Sequence, residues 1–101
     1  MYIYNITTKL SHSIHPGWVN WMKEEHIPAV MQTGCFTGYK FVRLLEVDEE
    51  EGPTYAVQFS AATKADYDRY INEFAPVLRQ DTFSRWGNQL IAFRSLMQVV
   101  N

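Results

Sequence analysis

Four segments of this chain alternate side-chain character with period two, and the two segments between them repeat at helical spacing. That order limits the possible folds more than any other feature, because a period-two pattern does not suit a helix, nor a helical pattern a strand. Tyr2, Tyr4, Ile6 and Thr8 alternate against Ile3, Asn5, Thr7 and Lys9. Aromatic and β-branched residues at this spacing predict a first strand over 2–10. A second strand is expected over 36–47, with Tyr39, Phe41 and Leu45 on one face and Lys40, Val42 and Leu44 on the other. A third is expected over 54–61, where Tyr55, Val57 and Phe59 alternate against Ala56, Gln58 and Ser60. The acidic stretch DEEEGP, residues 48–53, joins these two as a hairpin. A fourth strand is expected over 89–100, with Ile91, Phe93, Met97 and Val99 sharing a face.

The first helical segment is expected from about Pro16 to Thr33, after a turn at SHSIHPG; Pro16 suits a first helical turn, where its missing N–H costs nothing. At regular helical pitch Trp18, Val19, Met22, Ala29 and Val30 share a side, Glu24 and Met31 oppose them, and Lys23 and Ile27 lie beyond the apolar edge. Gly34 is the expected left-handed stop. Pro28 sits inside the segment, removes the hydrogen bond to the Glu24 carbonyl and predicts a kink near His26 and Ile27. The second helix starts at Thr63, with Asp66 three residues on as a near relative of a capping box. Tyr67, Tyr70, Ile71, Phe74 and Leu78 form its apolar stripe, Pro76 predicts a kink, and Gly87 ends it.

The order β-α-β-β-α-β within one 101-residue domain predicts an α+β, ferredoxin-like four-stranded antiparallel sheet, with right-handed crossovers placing both helices on one face. Tyr4, Ile6, Tyr39, Phe41, Val57, Phe59, Ile91 and Phe93 are expected to meet the helices. The other face then carries Ile3, Asn5, Val42, Leu44, Gln58, Ala92, Arg94 and Leu96, too apolar a mixture for a solvated surface. The chain is 47% hydrophobic and 15% aromatic, a large apolar stock for a domain of this size. A second copy packed on that face would hide the excess, so a two-fold homodimer of α/β-barrel type is expected.

Several functions are disfavoured. The formal net charge is −2 and no basic stretch exists, which argues against nucleic acid as a partner. The apolar runs are too short to span a membrane, and the N-terminus lacks the pattern of a secretory signal. With Cys35 as the single cysteine, no intramolecular disulfide is possible, and a cytoplasmic location is expected. His12, His15 and His26 lack the further ligands of a recognisable zinc set, so no metal is expected. No glycine-rich phosphate loop, nucleophile elbow or other cofactor motif occurs, so no cofactor is expected.

One titratable residue stands out. His26 falls between Val19 and Met22 on the buried side of the first helix. The helices also echo one another: Glu25-His26-Ile27-Pro28 through Gln32 matches Glu73-Phe74-Ala75-Pro76 through Gln80. On that alignment His26 replaces a core phenylalanine and should point at the sheet. Two readings follow. His26 is a core histidine bonded to a carbonyl or to a tyrosine such as Tyr4 or Tyr55. Alternatively, it is the polar group of a helix–sheet pocket walled by Trp18, Trp21, Met22, Tyr4 and Tyr55, there to hold a ligand or move a proton. Glu24 projects away from the sheet, and Glu25 reads as a solvated charge.

The opening Tyr2-Ile3-Tyr4-Asn5, the stretch Trp18-x-x-Trp21-Met22-Lys23-Glu24-Glu25-His26-Ile27-Pro28, Thr33-Gly34-Cys35-Phe36, Thr54-Tyr55-Ala56-Val57-Gln58 and Ala92-Phe93-Arg94 carry a resemblance along nearly the whole chain. The chain resembles an uncharacterised family of short bacterial proteins, a domain of unknown function, within the dimeric α/β-barrel superfamily. The resemblance implies the fold and the homodimer. The superfamily includes cofactor-independent monooxygenases, haem-degrading enzymes and members without known activity, several using a helix-borne tryptophan or histidine in the helix–sheet pocket. Trp18, Trp21 and His26 are the positions where that likeness bears on this chain. It implies a pocket location and no reaction; the expected function is binding of a small apolar or aromatic molecule, or an interaction module, and the alternative is a cofactor-independent monooxygenase or isomerase, or a haem-binding protein.

Overall fold

The computed structural model describes residues 1–101. Strand β1 (Tyr2–Leu10) leads through a tight turn at His12–Ile14 into helix α1 (residues 15–31). Strands β2 (Gly38–Arg43) and β3 (Thr54–Ala61), helix α2 (residues 64–86) and strand β4 (Leu90–Gln98) follow. The sheet order is β2-β3-β1-β4, and every neighbouring pair is antiparallel. Both crossovers skip one strand, so the two helices lie over the same face. Trp18 of α1 meets Phe41 and Tyr55, and Tyr67 and Tyr70 of α2 meet Tyr4. This is the ferredoxin-like α+β fold. Its core fills the space between sheet and helices, with Phe59, Leu10, Val30 and Cys35 almost wholly buried.

Local chemistry sets the element ends. Gly34 ends α1's last turn at φ 76°. The Thr63 hydroxyl accepts the Asp66 N–H at 3.1 Å and starts α2. β2 is shorter than its sequence pattern. Cys35 and Phe36 drop into the core ahead of it. Its ladder stops at Arg43 opposite Tyr55, and Leu44 adds one bond to the Thr54 carbonyl. The next residue on the partner side is Pro53, which has no N–H to extend the ladder.

Both helices accommodate their prolines in the same way. Met22–His26 and Tyr70–Phe74 are π-helical, each followed within two residues by the proline. The Ile27 N–H reaches back five residues to the Met22 carbonyl, and the Ala75 N–H to that of Tyr70. The extra residue in the turn absorbs the donor that Pro28 or Pro76 lacks. It also shifts the helical phase. A turn of five residues stacks Ile27 on Met22 and Ala75 on Tyr70, and all four are buried. Ile27 is therefore a core residue, where regular pitch placed it beyond the apolar edge. His26 and its counterpart Phe74 move to the flank of the buried face, and both are half-buried.

Strand β4 faces the opposite way from the sequence expectation. It pairs with β1 so that Thr8 opposes Ala92, Ile6 opposes Arg94 and Tyr4 opposes Leu96. Ala92, Arg94 and Leu96 are thus on the helix side, and Ile91, Phe93 and Met97 are on the uncovered side. Cross-strand partners share a face, so β1 settles the matter whatever the bulk of the β4 residues. The uncovered face carries Ile3, Asn5, Val42 and Gln58 as expected from their strands. Leu44 lies just past the end of β2. Phe93 is 65% exposed and Ile91 60% exposed on this face.

Candidate functional site

Between α1, α2 and the sheet lies a cavity of about 70 Å³. The six residues singled out from the sequence, Tyr4, Trp18, Trp21, Met22, His26 and Tyr55, all line it. Trp18 and Met22, one regular turn apart, face the sheet, and Trp18 packs on Tyr55 at a ring separation of 5.4 Å. Past Met22 the π-helical turn carries His26 to the rim of the buried face. There its ring stacks on Trp21, with centroids 4.8 Å apart and planes 25° from parallel.

His26 occupies a junction. An open groove of about 350 Å³ runs between the helices on the outer side, lined by Glu25, His26 and Ala29 of α1 and by Leu78, Asp81 and Arg85 of α2. Trp21, His26 and Leu78 border both the groove and the inner cavity. Burial lowers the His26 pKa from 6.5 to about 4; Asp81 opposes this and Arg94 adds to it. The imidazole is neutral at physiological pH, with one ring nitrogen able to donate and the other to accept. The tyrosines proposed as its partners are engaged elsewhere. The Tyr55 hydroxyl pairs with Nε2 of His15 at 2.7 Å, and Arg79 Nη2 donates to the Tyr4 hydroxyl at 3.1 Å.

Sequence reasoning missed the far wall. Arg79 and Thr82 of α2 and Leu90, Ala92 and Arg94 of β4 also line the cavity. The last three were assigned to the opposite face or left out because β4 was read in the wrong phase. Tyr70, another wall residue, has its hydroxyl pKa raised, first by burial and then by Tyr4. Glu24 and Glu25 are exposed, and Cys35 is a free, buried thiol. No three His, Cys, Asp or Glu side chains form a group able to hold a metal ion. No helix is long and apolar enough to cross a membrane.

The fold has close structural counterparts at low sequence identity. An ethyl tert-butyl ether D (EthD) family protein from Bacillus halodurans superposes with a TM-score of 0.73 at 10% identity, covering 99% of this chain and 100% of that one. A dimeric ferredoxin-like protein from an uncultured marine organism gives 0.67 at 10% identity, covering 99% and 96%. SnoaB, a cofactor-independent oxygenase from Streptomyces nogalater, gives 0.64 at 10% identity, covering 99% and 94%. At such identity the likeness is one of fold. No curated protein is significantly similar in sequence. The family model described as a domain of unknown function (DUF4286) matches residues 1–100, and the chain belongs to that family.

Proposed function

We propose that the protein is a homodimeric, cytoplasmic small-molecule binding protein whose site is the helix–sheet cavity together with the groove outside it. One observation carries this reading: His26 and Trp21 border both spaces, so an inner, largely apolar chamber meets an outer polar one at a neutral imidazole. Alone, the cavity of about 70 Å³ is roughly half the ~150 Å³ of a cavity that binds benzene. With the groove, the space reaches the range of ligand sites, about 300–1,000 Å³. A second copy seated on the uncovered sheet face would cover Ile91, Phe93 and Met97 and leave the helix side free. The existence of a dimeric relative of this fold supports that arrangement.

Binding is tested with neutral probes, phenol and cyclohexanol, by amide chemical-shift perturbation. Saturable shifts at cavity residues are expected in the wild type and not in Ala92→Leu, which fills the cavity from β4. No saturable shift with either alcohol, nor with benzoate or benzamide, overturns the reading. A Phe93→Lys variant tests the dimer by light scattering. It should run at half the wild-type mass, and a wild type that is already monomeric at micromolar concentration overturns the homodimer.

Cofactor-independent oxygenation or isomerisation is the second reading, favoured by His26 being neutral and so able to accept a proton. Its low pKa makes it a weak base in the free protein, since a general base works best with a pKa near the operating pH. Haem could not enter the inner chamber of about 70 Å³ and would have to lie in the outer groove, which His26 also borders.

A further inference from the structure

The helix–sheet cavity is charged in a way its chain is not. The protein as a whole has eleven acidic residues against nine basic ones. Yet the cavity wall includes two arginines, Arg79 from α2 and Arg94 from β4, and no aspartate or glutamate. Neither arginine has a carboxylate partner. The two ion pairs of the chain, Arg43–Glu49 and Lys64–Asp68, lie elsewhere. Arg79 is held against the cavity by the bond from Nη2 to the Tyr4 hydroxyl, which uses one of its five N–H donors and leaves the rest of the fork free. Arg94 stands opposite Ile6 on the helix side of the sheet, and its charge acts to lower the pKa values of His26 and Tyr70, which line the same cavity. Asp81, the carboxylate that acts on His26, borders the outer groove instead of the cavity.

We propose that this cavity binds the carboxylate of a small organic acid, with Arg79 and Arg94 as the anion-recognising residues and Trp21 and Leu78 at the mouth holding the apolar body. The inference rests on the ligand-binding reading above and adds the class of ligand. Guanidinium is the side chain whose planar donor fork matches a carboxylate with two parallel hydrogen bonds. Both are solvent-exposed, so water screens their charge, but two such groups from different elements, lining one space with no carboxylate partner, leave that lining positive in a protein of net negative charge. The cavity is about the size of a carboxylate head and not of an aromatic ring, so the acid group enters and the ring rests at the mouth against Trp21 and Leu78.

The test compares benzoate with its neutral isostere benzamide, by amide chemical-shift titration of the intact protein at millimolar probe. Benzoate is expected to bind about tenfold tighter, the worth of a charge-assisted hydrogen bond pair over a neutral one. The preference should shrink in Arg94→Gln and in Arg79→Gln, vanish in the double variant, and weaken with added salt. Arg94→Gln leaves the Tyr4 bond untouched, so it separates loss of recognition from loss of packing; Arg94→Lys should restore part of the preference. If benzoate and benzamide bind equally, or the preference survives in the double variant, the anion inference is overturned and the ligand-binding reading stands. If neither these probes nor the neutral alcohols bind, both are overturned.

Discussion

Replacing His26 with phenylalanine, the residue at the matching place in α2, should remove a specific acid sensitivity from the protein. In the fold, burial holds the imidazole pKa at about 4; in the unfolded chain it returns to 6.5. Between those values the unfolded state binds the proton that the folded state refuses. Stability is therefore highest above the unfolded pKa and is lost as pH falls from 6.5 towards 4, where the loss levels off. The linkage relation gives a loss of about 1.3 kcal/mol from pH 7.5 to pH 5.5, and a limit of about 3.4 kcal/mol at full displacement. The window above pH 5.5 is the informative one, because ordinary carboxylates stay ionised there. The assay is urea unfolding followed by tryptophan fluorescence at three pH values, at one fixed protein concentration so that association does not shift the midpoint. Wild type should lose stability across the window, and His26→Phe should lose less by about 1.3 kcal/mol. Equal slopes for the two proteins would refute the reasoning, since His26 would then protonate as readily folded as unfolded.

Three other substitutions have defined outcomes. Gly52→Ala should cost about 2 kcal/mol or more in urea unfolding, because the backbone there is at φ 155° and the added methyl would land on the Leu10 carbonyl. Tyr55→Phe removes the 2.7 Å contact to His15 and should lower the unfolding midpoint by the equivalent of about 1 kcal/mol with an unchanged m-value. Thr63→Ala deletes the hydroxyl that caps α2 at Asp66 and should cost about 1 kcal/mol, read by thermal melting in far-UV circular dichroism.

The element order and the walls contributed by β1, β3 and the first turns of α1 were legible in the sequence. Tyr4, Trp18, Trp21, Met22 and Tyr55 come together because strand parity and helical pitch act locally, and each can be counted off along the chain. The phase past residue 22 was not legible. A proline announces a lost hydrogen bond but does not say whether the helix bends or takes in an extra residue, and the two outcomes turn Ile27 in opposite directions. Here both helices take in the residue, so their shared Glu-x-x-Pro pattern marks a shared π-helical turn. That turn is what puts His26 at a junction between two spaces, where regular pitch would have aimed it into the core.

The reversed face of β4 has a physical cause that also bears on the site. Reading the bulkier alternating set of a strand as its core side assumes that the helix layer alone is the place where apolar side chains are buried. In β4 the set Ile91, Phe93 and Met97 lies on the uncovered face, and the set under the helices has Ala92 and Arg94 at its centre, between Leu90 and Leu96. A small residue and a cation under a helix layer leave space and charge where packing would otherwise close the core. Bulky side chains in those two places would fill the chamber. The same parity that exposes Phe93 thus opens the cavity and lines it with Arg94. An apolar outer face and an arginine on the wall of the inner chamber are two consequences of one strand register, and a one-residue slip of β4 would abolish both.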